Sequence, residues 1–387
     1  MSNEENKKDL PKKNETKKPE NDDPESIFRI YSVLSYFIIL VVLGLPIWWY
    51  TTRVYRAELP LEDMYKAQYR NKISKEYNIP LSLEYDVLIT IVNPEPSSLK
   101  IDLKGQDIEH HLTPFLSKLS SIADFTVKSQ WLYMVELGAI PRKMYDHFAI
   151  QENQLPHIIS PLEKKLWSHL SPRPCLNLVL YFPQCRRPLY IYNENNEKLE
   201  TNAMLSPRWG GLYIINSDKQ SCEKHVFKPD LEKITATFAT QLQMLFHING
   251  TSRQNILALK QTKAEDLLDS TRRTLRSLAQ LLSEISSIVI SDDVAQKINV
   301  AVEKADIAEQ HLKENEIDEA LKYAKIAFEK SEQAFSDPSL LALLYFPDDQ
   351  KYAVYIPLFL PVMIPVLMSL IAVRKYMKNS KTKIKTD

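Results

Sequence analysis

Glycine is nearly missing from this chain: its 387 residues contain six, Gly44, Gly105, Gly138, Gly210, Gly211 and Gly250, about 1.5% where roughly 7% is usual. A loop that wraps a phosphate needs several glycines close together for positive φ and close backbone approach, and only Gly210 and Gly211 are neighbours. A dinucleotide fingerprint and a Walker A loop are therefore excluded. Cysteine is scarce as well. Cys175, Cys185 and Cys222 are too few for a disulfide scaffold and lack the C-x-x-C spacing of zinc and redox sites. In an oxidising compartment they are candidates for one disulfide with a thiol left over, and the spacing leaves the pairing open. Net charge is absent too, because 49 basic and 49 acidic residues cancel; nothing in that balance points to nucleic acid.

Catalytic and metal signatures are equally thin. The eight histidines supply only one adjacent pair, His110 and His111, and adjacent side chains rarely converge on one ion, so no metal or cofactor site is expected. No G-x-S-x-G elbow marks a nucleophile, and no catalytic residue is assigned. The acid pairs Glu62 with Asp63 and Asp292 with Asp293 read as a solvated face and a helix start.

What the chain does have is two long uncharged runs. Residues 30–50, IYSVLSYFIILVVLGLPIWWY, span about 31 Å as a helix, the thickness of a hydrocarbon core. The run ends in Trp48, Trp49 and Tyr50 and then Arg53 instead of small residues at a cleavage site, which reads as an uncleaved anchor with an aromatic belt. Residues 352–373, YAVYIPLFLPVMIPVLMSLIAV, span about 33 Å. Pro357, Pro361 and Pro365, four residues apart, stack their missing N–H groups along one side, and the carbonyls so freed are commonly satisfied by neighbouring helices in lipid. That proline face is read as a transmembrane packing surface. Arg374, Lys375, Lys378, Lys381, Lys383 and Lys385 crowd past the second run while Asp348 and Asp349 precede it. This places the tail, and with two spans both termini, in the cytosol. The region between the spans is then lumenal. Asn249-Gly250-Thr251 is a glycosylation acceptor usable there, and Lys383 and Lys385, fifth and third from the end, resemble a dilysine retrieval signal.

Six segments follow. Residues 1–29 are a mixed-charge tail too poor in apolar side chains to build a core, hence disordered; residues 30–50 are the first transmembrane helix. Residues 51–248 form a mixed α/β domain, with strands expected at 84–93, 124–137, 176–182, 188–193 and 210–216 and helices near 106–121, 161–170 and 229–248. Residues 249–351 form a helical bundle. Leu268, Thr271, Leu275, Leu278, Leu282, Ile285 and Val289 line one helix face, Val294, Ile298, Ala301, Ala305, Ala308 and Leu312 a second, and Ile317, Leu321, Ala324, Phe328, Ser331 and Phe335 a third. Residues 352–373 are the second span and 374–387 a basic cytosolic tail. The fold class is thus an α+β membrane-anchored protein, with two transmembrane helices flanking a large lumenal region.

WWYTTRVYRAELP (48–60), SPRWGGLYIIN (206–216), SLAQLLSEISSIVISDDVA (277–295) and above all DPSLLALLYFPDDQKYAVYIPLFLP (337–361) closely resemble the PIG-S family, a subunit of the GPI transamidase. The resemblance implies an accessory, non-catalytic component of the endoplasmic-reticulum membrane complex that joins a preassembled glycolipid to the new C-terminus of a precursor protein. It implies other transamidase subunits as partners, among them the one carrying the catalytic Cys and His, with precursor and GPI met through the complex. The chain is shorter than the relatives it resembles. Two other readings are a membrane-anchored lumenal hydrolase using Cys175, Cys185 or Cys222 with a distant His, and a tether whose helical bundle captures another protein.

Overall fold

The structure, a computed structural model, describes residues 24–53, 55–66, 79–193, 195–285, 288–341 and 348–383. Residues 1–23 of the expected tail, Lys385, and part of the motif at 337–361 lie outside them. The chain forms two compact units.

The first unit takes residues up to Ala57, the short segment Ile285–Ser291 and everything from Pro338 onward. Helix α1, Pro24–Phe37, begins six residues before the expected span and runs through a π-helical stretch, Ile38–Gly44, into α2, Leu45–Thr52. The Leu45 N–H reaches back five residues to the Leu40 carbonyl, and Pro46 sits in the first turn of α2. A widened turn is where a helix absorbs the ring and missing donor of a proline. After the one-turn α11, Pro338–Leu341, helix α12 runs 36 residues from Asp348 to Lys383 without a break at Pro357, Pro361 or Pro365. Among the described residues two stretches are long and apolar enough to cross a membrane: Ile30–Tyr50, mean hydropathy 2.4, and Ala353–Ile371, mean hydropathy 2.3. The Trp48 ring lies edge-on to Tyr355 at 5.7 Å and to Phe359 at 6.0 Å. The end of the first stretch thus meets the start of the second, as in an antiparallel hairpin.

One expected helix is shorter than its apolar stripe. Helix α8, Arg253–Glu284, stops before Ile285 and Val289, and Ile290 instead pairs with the chain just after the first apolar helix. Its N–H donates to the Tyr55 carbonyl at 3.1 Å, and its carbonyl accepts from the Ala57 N–H at 3.0 Å. Ile288, Val289 and Ile290 are a β-branched run, which favours extended backbone over another helical turn.

The second unit, Glu58–Glu284 with Asp292–Asp337, opens with α3, Leu61–Lys66. Its strands in chain order are β1 (Glu84–Asn93), β2 (Lys100–Ile101), β3 (Asp124–Tyr133), β4 (Arg142–Lys143) and β5 (Phe148–Gln151). They continue with β6 (Cys175–Tyr181), β7 (Leu189–Tyr192), β8 (Ala203–Ser206), β9 (Gly210–Ile214) and β10 (Val226–Phe227). The main sheet has the order β3-β1-β6-β9-β8, parallel except for β8. A parallel sheet is covered on both faces, so its inner strands are continuous apolar runs, and nine of the ten residues of β1 are buried. On one face α4, Gly105–Leu119, and α7, Leu231–Leu245, set Ile108, Leu112, Ile234 and Phe238 against Val87, Ile89 and Ile91. On the other, α5, Leu155–Glu163, sets Ile158 and Leu162 against Leu88, Val92 and Val179. Each fully buried Val, Leu or Ile here contributes about 1.5–3 kcal/mol of burial energy.

The neighbouring glycines serve packing. Gly210 has φ 140°, and a Cβ there would stand 1.9 Å from the Asn177 carbonyl oxygen, while one at Gly211 would run into the Gln241 side chain on α7. The small β4-β5-β7 sheet is tied on by two asparagines. Asn202 accepts from the Ile191 N–H and donates to the Leu189 and Ile214 carbonyls, and Asn216 both accepts from and donates to the Leu189 backbone.

Helices α8, α9 (Asp292–Lys313) and α10 (Ile317–Phe335) form the bundle. Lys260 pairs with Asp318 and Thr274 with Glu332, the same offset along both chains, so α8 and α10 run parallel. Lys297 near the start of α9 meets Asp337 past the end of α10, so α9 runs the other way. Lys263 of α8 joins bundle to sheet: 8% exposed, it donates to the Ser82 carbonyl at 2.8 Å and to the Tyr85 hydroxyl at 3.4 Å.

Burial pushes the Lys263 ammonium down from 10.5 to about 8, against the favourable charge of Asp266. Folding therefore penalises the charged form, a cost present in full below pH 8 and relieved as pH rises from about 8 to 10.5. Equilibrium unfolding of the parent and of Lys263→Met across that range is expected to show the parent gaining up to about 3 kcal/mol relative to the variant. A pH-independent difference would show that Lys263 is not held in this way.

Candidate functional site

In open α/β sheets the ligand crevice lies at the carboxyl ends of the strands, where consecutive connections leave in opposite directions. Here that point is between β1 and β6. From β1 the chain turns through α4 to β3, then crosses back through α5 to β6 and moves away from β1 to β9. Asn93 shapes the exit from β1, its amide donating to the Leu99 carbonyl at 2.8 Å and accepting from the Glu95 N–H at 3.1 Å. Met134, with φ 57°, ends β3, which is why the strand stops short of the expected residue 137. Beyond these ends lies a recess lined by Glu136, Leu137, Pro141, Tyr181, Gln184 and Arg187 among others. The Arg187 guanidinium lies over the Phe148 ring at 5.9 Å. Burial first, then the Glu136 charge, pushes the Tyr181 phenol up to about 12, so it stays a neutral donor. One cation, one carboxylate and an amide among apolar walls can bind and orient a chain. Among the described residues no Ser, Cys, Lys or His lines the recess.

The structure joins Cys185 to Cys222 with Cα atoms 5.8 Å apart, leaving Cys175 free. Cys185 sits between Gln184 and Arg187 on the rim of the recess, and Cys222 on the short helix α6, Lys219–Lys224. The bridge thus fixes the rim loop. Cys175 lies beside a carboxylate. Burial, then the Asp86 charge, pushes its thiol up to about 12, with Lys128 opposing, so the nucleophilic thiolate is suppressed. Asp86 itself is 2% exposed and held by Lys128 at 2.6 Å and by the Ser171 hydroxyl at 2.7 Å. Burial raises its carboxyl, but those hydrogen bonds with the Lys128 and Arg173 charges outweigh it and hold it below the usual range.

The remaining sequence-predicted positions are scattered. Asn249 is exposed in the turn between α7 and α8, its carbonyl accepting from Asn255. Pro357, Pro361 and Pro365 are all exposed on α12. Tyr355, Met363 and Val366, the more covered residues of that helix, lie on its other side, about 140° away at roughly 100° per residue. The proline face is thus turned away from the first apolar stretch. Lys383 ends the described helix. His110 and His111 stand 6.0 Å apart edge to face on α4, and His111 bonds the Asp107 carbonyl.

Sequence reading missed two histidine clusters. His311, Glu314 and Glu316 could hold a metal ion by their mutual spacing. The His311 Nδ1 lies 2.7 Å from Glu316, which closes the exposed turn between α9 and α10 where Asn315 takes φ 61°. His147 bridges Asp146 and Tyr192, at 2.5 and 2.8 Å, and ties β5 to β7. Neither was visible because each depends on a left-handed turn or a strand pairing that composition does not mark.

The profile of a family described as phosphatidylinositol-glycan biosynthesis class S protein matches residues 35–80 and 65–380. The GPI-anchor transamidase component PIGS of Bos taurus is 37% identical over 346 residues, 82% of this chain and 62% of its own length. The human component of the same name is 36% identical over 338 residues, 81% of this chain and 60% of its own length. The GPI transamidase component PIG-S homolog of Schizosaccharomyces pombe is 30% identical over 293 residues, 73% of this chain and 52% of its own length. The chain thus spans roughly three fifths of the mammalian relatives it matches.

Cys185 and Cys222 are separated by 37 residues, and closing a loop of that size in the unfolded chain is worth about 4 kcal/mol at most. The double variant Cys185→Ser, Cys222→Ser is expected to lose about 2–4 kcal/mol in denaturant unfolding. Limited proteolysis should open the rim at Gln184–Arg187 first. Unchanged stability with an uncut rim would mean that the bridge does not fix the loop.

Proposed function

The chain belongs to the PIG-S family, and from that membership we propose that it is a non-catalytic accessory subunit of a GPI transamidase. It supports the attachment of preassembled GPI anchors to the C-terminus of precursor proteins at the endoplasmic reticulum membrane. The observation that carries this reading is the family match running from the first apolar helix to the basic segment beyond the second.

In this reading the two apolar stretches span the membrane with both termini cytosolic, and the sheet and bundle stand in the lumen. The antiparallel meeting of Trp48 with Tyr355 and Phe359, the Cys185–Cys222 bridge and the exposed acceptor Asn249 all favour that side. The catalytic Cys and His belong to another subunit. A recess without nucleophile and a Cys175 thiol held protonated beside Asp86 fit a chain that holds and orients, and they speak against a Cys-dependent hydrolase. The exposed prolines of α12 are the surface that meets other transmembrane helices, which relieve the carbonyls left free in lipid.

Deleting the chain is expected to leave precursors uncleaved and to strip GPI-anchored proteins from the cell surface, read by flow cytometry. Normal surface levels would end this reading. Cys175→Ser should restore them fully; failure of a folded Cys175→Ser chain would bring the hydrolase back. Replacing Pro357, Pro361 and Pro365 together by leucine should keep membrane insertion and abundance while reducing co-purified subunits severalfold. An unchanged complex would leave the prolines as helix irregularities only.

A further inference from the structure

Strand β3 is an open edge of the main sheet. The Asp124 N–H donates to the Leu83 carbonyl at 2.9 Å and, an even number of residues later, the Met134 N–H donates to the Asn93 carbonyl at 3.1 Å, with the pairing in unbroken parallel register between them. In a parallel ladder the N–H and C=O of one residue point to the same side and alternate along the strand. The even-numbered residues of β3 therefore bond β1, and Phe125, Val127, Ser129, Trp131 and Tyr133 turn theirs outward. Among the described residues no strand pairs with that side. None of the ten residues of β3 is buried, against nine of ten in the adjacent β1.

Edges that must stay free are kept short, bulged, broken by proline or guarded by an outward charge. Strand β8, at the other end of the sheet, has four residues. Strand β3 has ten, about 33 Å, with no proline and no bulge. Its one lysine, Lys128, is drawn onto Asp86 at 2.6 Å and across the Trp167 ring at 4.4 Å, so it does not guard the edge. A strand laid here would set alternate side chains beside Phe125, Val127, Trp131 and Tyr133, where Trp131 and Tyr133 already stack at 5.6 Å. Its other side chains would lie beside Thr126, Lys128, Gln130 and Leu132. Because Lys128 is already neutralised and the other charge, Asp124, stands at the first residue of the strand, the edge from Phe125 to Tyr133 has no unmet charge to offer.

We propose that β3 is a docking edge that takes an extended, uncharged segment of another polypeptide, apolar at alternate positions, as an added strand of the sheet. The occupant is fixed by this chemistry: backbone donors and acceptors in register along one side, and an apolar and aromatic row on the face that α4 and α7 cover. The inference rests on the chain working within an assembly, though not on which one.

Residue-level amide exchange decides it, comparing the full-length chain purified in mild detergent with its bound partners and the same chain stripped of them. The amides of residues 125, 127, 129, 131 and 133 are expected to slow at least roughly tenfold in the assembly, while those of 126, 128, 130 and 132 stay as they are. Equal rates in both samples overturn the proposal. So does slowing already present in the stripped chain, which means self-coverage if independent of concentration and pairing of two copies if not. A partner that stays bound over unprotected outward amides sinks the docked strand alone, whereas a chain that purifies alone sinks both this and the subunit reading. Ser129→Pro removes an outward donor and no bond to β1, so it should cut bound partner at least roughly tenfold with an unchanged melting temperature. Full retention by the folded variant overturns the proposal, and if the variant does not fold the exchange comparison decides by itself.

Discussion

The burial of β1 is the constraint on which the larger unit depends. A strand with nine of ten residues buried needs a neighbour on each side and a covered layer on each face. The chain supplies β3 and β6 as neighbours, α4 with α7 over one face and α5 over the other. Placing α4 and α5 on opposite faces follows from right-handed crossovers that run in opposite directions across the sheet, one from β1 out to β3 and one from β3 back to β6. That divergence opens the recess at the carboxyl ends, and it makes β3 the last strand on its side. The recess and the open edge are two results of one packing problem.

Polar groups do the joining where apolar burial cannot. Asp86, Lys128, Ser171 and Arg173 form a charged cluster at the amino ends of the strands, Asn202 and Asn216 attach the small sheet, and Lys263 attaches the bundle. Asp86, Asn202 and Lys263 are buried groups whose partners come from distant segments, so removing a partner leaves an unpaired donor or acceptor costing about 1–3 kcal/mol. These side chains specify how the layers meet.

Much of this was legible in the residues. EYDVLITIVN and LNLVLYF read as strands, their apolar runs being what the parallel sheet then demands of its inner members, and the apolar stripes of α9 and α10 came through with their small residues in place. The reading failed where tertiary pairing overrides local pattern. Ile285 and Val289 continue the periodicity of α8, yet Ile290 finds a backbone partner beside Tyr55 and the helix ends at Glu284. Strand β8 was missed because AMLS carries no alternation. The burial of Asp86 leaves no mark in the local pattern, since its partners Lys128, Ser171 and Arg173 come from other segments. Which two cysteines join could not be read, since Cys175 and Cys185 are equally plausible in spacing; a position within β6 put Cys175 out of reach. The recess was not legible either, because its walls are brought together from the segment after β3, from β5 and β7, and from the end of β6 with the loop that follows it.

The Cys185–Cys222 bridge has a further consequence that is purely topological. Strands β7, β8 and β9 all lie between the two cysteines, so they belong to a covalent ring closed by sulfur. A nick anywhere within that ring would leave one molecule of unchanged mass apart from the added water, held by the bridge as well as by the sheet. The two pieces would part only under reducing, denaturing conditions.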